Sequence, residues 1–325
     1  MCTSIAMKTG DFYFGRNMDL EYELNGSVVI APRNFPFIFR RTSPLKHHFA
    51  MIGMAVMAQG VPLYAEAVNE KGLCMAGLNF PDNAYYSPQE DPDKINISPF
   101  ELIHWILGKC GSIAEVRELI KQTHLVNIHF SAQLPLSPLH WHIADQEASL
   151  VMENTRDGLF LYDNPVGVLT NNPGFHFQMT NLCQYLNLTT GCPANCFSEK
   201  ARIKPFGMGF GCIGLPGDFS PASRFVKTGF LALNSVCPEN EQGSVSQLFH
   251  LLDAVAMPRG SVLTPEDQYD TTIYSCCINA SKGLYYYKTY ANNQLTAVDM
   301  NRENLNSCSL KIYPLIRCQQ VAWMN

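Results

Sequence analysis

Antiparallel sheets with helices packed on their outer faces, an α+β arrangement, are what this sequence predicts, and three observations carry the prediction. Strand-like and helical runs come in blocks: strands, two helices, strands, helices, strands. That order departs from the strict alternation that builds a parallel, doubly wound sheet. Cys2–Met7 and Phe12–Arg16 flank the turn Lys8-Thr9-Gly10-Asp11, which reads as a hairpin. No internal repeat, low-complexity segment or linker divides the 325 residues, so 2–325 is expected to form one domain.

The elements follow in order. After the hairpin, strand-like runs cover Ser27–Ala31, Ala50–Met57, Leu63–Val68 and Leu73–Phe80. Ser98-Pro99-Phe100-Glu101 offers a capping serine, proline at the first helical position and glutamate three residues after the cap. Ser112-Ile113-Ala114-Glu115 repeats the capping pattern, with Val116, Leu119 and Ile120 forming an apolar face. Strands are expected next at Leu139–Ala144, Leu150–Asn154, Leu159–Tyr162 and Val166–Thr170. Helices are expected at Phe175–Leu188, Pro221–Leu233 and Val245–Ala256. Strands return at Thr271–Asn279, Leu284–Thr289, Leu295–Met300 and Leu310–Tyr313.

Composition narrows the function classes. With 46% hydrophobic and 16% charged residues, a net charge of −5 and no basic stripe, the chain carries no footprint for nucleic acid. The longest apolar run, Phe49 to Ala58, is too short to span a bilayer. Residues 1–25 lack the charged-then-apolar layout of a signal peptide, which points to the cytoplasm. A reducing compartment argues against a disulfide framework for the 12 cysteines, which read as small buried hydrophobes. Cys183, Cys192, Cys196 and Cys212 lack the paired spacing of a zinc site.

Most candidate motifs fail on context. Gly209-Phe210-Gly211-Cys212-Ile213-Gly214 has the spacing of a dinucleotide loop, but Leu215-Pro216-Gly217 follows where a helix should begin. No Gly-x-Ser-x-Gly elbow is present, and the nine histidines form no metal pattern. His140 and His142 read as packing residues on a strand.

Cys2 is different. Trimming Met1 leaves a thiol and a free α-amine on one residue, with ordinary pKa values of about 8.5 and about 8. Such an amine can take the thiol's proton, so one residue supplies nucleophile and base. The hairpin holds this terminus in a sheet, as catalysis there requires. It also brings Gly15-Arg16-Asn17-Met18-Asp19 beside Cys2. Arg16 can stabilise a thiolate and Asp19 can orient an ammonium, unless they form an ordinary surface ion pair. Asn79 and Asn171 end their strands, where an amide can donate to an oxyanion or simply begin a turn.

Together, Met1-Cys2-Thr3, Phe14-Gly15-Arg16-Asn17-Met18-Asp19, Ala76-Gly77-Leu78-Asn79-Phe80-Pro81, Val168-Leu169-Thr170-Asn171-Asn172-Pro173 and the run Gly214 to Phe225 resemble the choloylglycine hydrolase family. That family includes bile salt hydrolases and penicillin V acylases. The resemblance runs from Cys2 to about Tyr290. It implies the four-layer αββα sandwich of N-terminal nucleophile hydrolases. Its implied roles are Cys2 as nucleophile with its own amine as base, Arg16 beside the thiol and Asp19 on the amine. Asn79 and Asn171 are implied at the oxyanion, with Arg224 as a further charged member. Asn79, where penicillin V acylases often carry tyrosine, favours conjugated bile salts over penicillin V or N-acyl homoserine lactones. No cofactor or metal is implied, and a homotetramer is. Leu20–Leu24, Phe130–Leu136 and the Ala58–Pro62 turn are candidate walls of an apolar substrate pocket.

Overall fold

A computed structural model describes residues 1–325. In chain order its strands are β1 (Cys2–Lys8), β2 (Phe12–Leu20), β3 (Gly26–Ala31), β4 (Met51–Ala58), β5 (Val61–Asn69), β6 (Cys74–Asn79), β7 (Ile95–Ile97) and β8 (Thr123–Leu125). They continue as β9 (Leu139–Ala144), β10 (Ser149–Thr155), β11 (Gly158–Asp163), β12 (Val168–Leu169), β13 (Val262–Leu263), β14 (Tyr269–Asn279), β15 (Leu284–Thr289), β16 (Asn292–Asp299) and β17 (Lys311–Pro314). The helices are α1 (Leu102–Lys109), α2 (Ile113–Lys121), α3 (Phe175–Asn181), α4 (Pro221–Leu233) and α5 (Glu241–Asp253).

Two antiparallel sheets contain nearly every strand. The first runs β12-β1-β2-β14-β15-β16, with β13 attached to β14. The second runs β11-β10-β9-β6-β5-β4-β3-β17. A short parallel pair, β7 and β8, lies outside both.

The layers follow from strand alternation, because successive side chains face opposite sides of a sheet. On β2 and β14, Phe12, Phe14, Met18, Cys276 and Ile278 point between the sheets, where they meet Val28, Ile30, Ile52 and Met54 of the second sheet. The intervening residues Tyr13 and Cys277, with Ile5 and Met7, pack outward under Val245, Leu248 and Leu252 of α5. On the far side, Met51, Met75 and Trp141 pack under Leu102 and Ile106 of α1 and Val116 of α2. Helices, sheet, sheet, helices is the expected αββα sandwich. Each fully buried Leu, Ile or Phe side chain contributes about 1.5–3 kcal/mol of hydrophobic stabilisation. Gly15 shows how tight the outer packing is. A Cβ there would meet Leu248 Cδ2 at 2.4 Å and the Cys276 carbonyl oxygen at 2.5 Å.

The helix starts obey their caps. Ser112 Oγ accepts from Glu115 N, and Ser220 caps α4 with Pro221 in its first turn. At Ser98 the reciprocal cap shares the serine hydroxyl with a second partner. Ser98 N donates to Glu101 Oε2 at 3.1 Å, while the serine hydroxyl donates to Ile128 O, and a 3₁₀ turn precedes α1.

The structure departs from the sequence reading in four places. β2 runs on to Leu20, so Asp19 lies within the strand rather than beyond it and Arg16 sits mid-strand rather than at its end. The helix expected over 175–188 is α3 followed by a 3₁₀ turn, Leu182–Tyr185. α5 begins four residues earlier than expected because Asn240 Oδ1 caps it, accepting from Gly243 N. The cysteines are mostly not core residues. Cys2, Cys74, Cys110, Cys276 and Cys277 are buried, but the other seven of the twelve are exposed or half-buried, and all are free thiols. Gly209 adopts a left-handed φ of 80° ahead of a single 3₁₀ turn, so its glycine-rich segment is a loop.

Candidate active site

Strand register assembles the site. β1 and β2 pair Cys2 with Met18, Thr3 with Asn17 and Ser4 with Arg16. Opposed residues share a face, so the Cys2 thiol joins Met18 and Arg16 between the sheets. Its Sγ lies 3.7 Å from Met18 Sδ. Arg16, diagonal to Cys2, places Nη2 2.7 Å from Sγ. Its other terminal nitrogen, Nη1, donates to Gly77 O at 2.9 Å, Ala65 O at 3.1 Å and Glu66 Oε2 at 3.3 Å. Burial works against the guanidinium charge, but the Cys2, Tyr274 and Glu66 groups around it outweigh burial and hold its pKa above the ordinary value.

Thr3 and Asn17 face the opposite side, toward the helices. Asn17 joins the layers there, donating to Leu252 O of α5 and accepting from Ser275 Oγ. Arg224, in the first turn of α4 and 1% exposed, reaches the same edge of β1. Its Nη1 donates to the Cys2 carbonyl oxygen and to Thr3 Oγ1, and its Nη2 donates to Asn171 Oδ1 at 2.7 Å. Burial lowers the Arg224 pKa despite the nearby Asp19, Cys2 and Asp270.

β1 also pairs with β12 through Ser4 and Leu169, and two more residues along this antiparallel register bring Asn171 opposite Cys2. Asn171 Oδ1 accepts from Cys2 N at 2.9 Å, and its Nδ2 donates to Asn79 O at 2.7 Å. An amide nitrogen carries two hydrogens, so one remains for another acceptor. Asn79, the last residue of β6, has an exposed side chain.

Asp19 is buried, and burial raises its pKa against Arg224, the terminal ammonium and a hydrogen bond from Thr272. Thr272 Oγ1 donates to Asp19 Oδ1 at 2.5 Å, while Asp19 Oδ2 is buried without a hydrogen-bond partner. With Met1 in place, Cys2 N is a peptide nitrogen. The terminal ammonium is that of Met1, bound by Asp19 O at 2.7 Å and Asp270 Oδ2 at 3.0 Å. The unpaired Asp19 oxygen is a ready acceptor for an ammonium at this end of β1.

All six residues singled out from sequence therefore line the same end of the sandwich, and all but Asp19 are joined by direct contacts: Cys2 to Arg16, Asn171 and Arg224, and Asn171 to Asn79 and Arg224. Sequence reasoning missed Glu66, Tyr274, Tyr285, Thr272 and Asp270. The Glu66 carboxylate lies buried between the sheets and accepts from Tyr274 Oη at 2.7 Å and Tyr285 Oη at 2.5 Å. Two bulges aim these groups. The β4–β5 register skips Ala65 and the β2–β14 register skips Ile273. Bulges re-aim side chains beside functional sites. No local sequence signal marks either one.

The three loops expected to border a pocket share this end. β5 and β6 run antiparallel through Glu66 and Ala76, so the Ala58–Pro62 turn lies near Asn79. Leu139, opposite Asn79, follows the Phe130–Leu136 loop, and Leu20–Leu24 leaves β2 just beyond Asp19.

A cysteine sulfur beside a guanidinium, an amide pair at the rim and a buried carboxylate at the start of β1 suit acyl transfer through a cysteine nucleophile. A family model described as linear amide C–N hydrolases, choloylglycine hydrolase family, matches residues 2–313. The chain is 49% identical over 315 residues to a bile salt hydrolase/transferase of Lactiplantibacillus plantarum, covering 97% of each chain. It is 40% identical to one from Clostridium perfringens, covering 96% of each. A crystal structure of a variant of conjugated bile acid hydrolase from Clostridium perfringens superposes with a TM-score of 0.92 at 38% identity, covering all of both chains. A penicillin V acylase from Agrobacterium tumefaciens shares the fold, with a TM-score of 0.76 at 17% identity over 96% of this chain and 90% of its own.

Proposed function

The chain belongs to the choloylglycine hydrolase family of linear amide hydrolases, and from that premise we propose that it cleaves glycine- and taurine-conjugated bile acids through a Cys2 thioester. Residues 2–325 act as one domain in this reading. The observation that carries it is the Arg16 guanidinium set 2.7 Å from the Cys2 sulfur.

Removal of Met1 frees the Cys2 amine at the position where Asn171 Oδ1 already accepts from Cys2 N. The amine takes the thiol proton and Arg16 holds the thiolate. The sulfur attacks the amide carbonyl, and the resulting oxyanion is met by the Asn79 side chain and the remaining Asn171 amide hydrogen. The ammonium then protonates the departing glycine or taurine as the C–N bond breaks. Water, deprotonated by the same amine, attacks the thioester and releases the bile acid and the thiol. The names of two relatives pair hydrolase with transferase, and a thioester can also pass its acyl group to an amine.

We further propose a cytoplasmic homotetramer. Twelve free thiols suit a reducing compartment. Leu186, Phe197, Phe206 and Met208 are 84–96% exposed, and large apolar groups exposed together mark interaction surfaces.

Intact mass spectrometry of the mature terminus, joined to ninhydrin assays on glycocholate and taurocholate, tests the reading. Penicillin V and an N-acyl homoserine lactone, run in parallel, test the alternative acylase activities. Faster release from either alternative, or turnover by a Cys2→Ala variant, ends the proposal.

A further inference from the structure

We propose that Glu66 is a positioning residue that moderates the charge Arg16 presents to Cys2, a role that rests on Cys2 being the nucleophile. Glu66 and Arg16 are both 0% exposed and form an ion pair 3.3 Å long between the sheets. Burial strips both ions of water, and hydrogen bonds replace it at the Glu66 carboxylate and at both terminal nitrogens of Arg16, although Arg16 Nε is left without a partner. The carboxylate accepts from Tyr274 and Tyr285, and the Cys276 thiol lies 3.6 Å away. Strand β5 turns Glu66 inward only because the Ala65 bulge lets two successive residues face the inter-sheet core. The same bulge offers Ala65 O to Arg16 Nη1. Three acceptors on Nη1 leave Nη2 directed at Cys2.

The charge arrangement matters as much as the geometry. A guanidinium with no counter-ion would stabilise the thiolate strongly, and a thiolate of lower pKa is a weaker nucleophile. Glu66 offsets part of that charge through the far side of the guanidinium. The other charged or titratable groups around Cys2 are Arg224 of α4, Asp19 of β2, Asp270 of β14, Tyr22 beyond β2 and the chain's own amine. Those around Glu66 are Arg16, Tyr274, Cys276 and Tyr285. Only Glu66 touches the guanidinium with a negative charge from the side away from sulfur.

The test is the pH dependence of Cys2 alkylation by iodoacetamide, followed by peptide mass spectrometry because exposed thiols such as Cys183 and Cys196 also react. In Glu66→Gln, Arg16 stays buried and bonded to two backbone carbonyls. The alkylation midpoint should fall by about one pH unit. Above that midpoint kcat should fall about threefold with KM unchanged, following the dependence of thiolate nucleophilicity on pKa. A folded Glu66→Gln protein whose midpoint stays or rises overturns the proposal. Where Glu66→Gln does not fold, Tyr274→Phe and Tyr285→Phe carry the test. Each strips a positive phenol dipole from the carboxylate, so the midpoint should rise, and no rise overturns the proposal equally. Turnover by Cys2→Ala would instead defeat the nucleophile assignment, while the Cys2 alkylation midpoint of the parent chain stays measurable.

Discussion

Arg16 Nη2 lies 2.7 Å from Cys2 Sγ although Arg16 is opposite Ser4, two residues along β1. The reach is diagonal, and it leaves Met18, the direct partner of Cys2, as the sulfur's apolar neighbour. The thiol is thus held by a long charged side chain whose own base is fixed by strand pairing.

Arg16→Met is expected to remove that contact and strand Glu66 as a buried, unpaired carboxylate. Breaking a buried pair from one side costs about 3–5 kcal/mol. Urea unfolding should register the loss, and Cys2 alkylation at neutral pH should slow.

Asn79→Ala should separate catalysis from stability. The side chain is exposed and makes no hydrogen bond within the fold, so the unfolding midpoint should not move. Loss of one oxyanion donor lowers kcat by about 10²–10³. A ninhydrin assay showing full activity would remove Asn79 from the oxyanion site.

Asn171→Ala should do both kinds of damage. Its carbonyl oxygen accepts from Cys2 N and Arg224, and its nitrogen donates to Asn79 O. Buried partners left unsatisfied cost about 1–3 kcal/mol, so Tm should drop along with kcat.

Molecules that retain Met1 should be inactive. Their amine sits on Asp19 O and Asp270, one residue away from the thiol's own nitrogen. Fractions separated by intact mass should show turnover that scales with the trimmed share.

Stability should fall with acid below the ordinary histidine range. Burial pushes both His104 and His142 down to about 3 in the folded chain, each beside a second histidine. The unfolded chain binds these protons near pH 6.5. Stability is therefore full above that pH and declines toward pH 3, by about 1.4 kcal/mol per pH unit for each histidine. Urea titrations between pH 7 and pH 5 should show the slope, and His142→Gln should flatten it.

Cys2, Arg16, Asp19 and Asn171 stand out in the sequence because local patterns carry them, a terminal hairpin and a strand followed by Asn172-Pro173, whereas Arg224 enters only through the family resemblance. Glu66 is not legible. It sits in Tyr64-Ala65-Glu66-Ala67, where a regular strand would send Glu66 to the same face as Tyr64, away from Arg16. Only the skipped register at Ala65 turns it inward. The same holds for Tyr274, whose direction depends on Ile273 being bypassed. The cysteines mislead for a related reason. Composition reports thiols but not whether a core is near: Cys183 and Cys212 sit in 3₁₀ turns, Cys192 and Cys196 in the irregular stretch between them, and none of the four belongs to an apolar cluster.

β14 lies between β2 and β15, so the strand bearing Thr272 and Tyr274 joins a partner some 250 residues nearer the amino terminus. Contacts this distant in sequence form late, after a long loop has closed. During synthesis the first hairpin must wait for most of the polypeptide to leave the ribosome before its missing neighbour arrives. Until then the Glu66 carboxylate lacks the hydroxyl donors of Tyr274 and Tyr285.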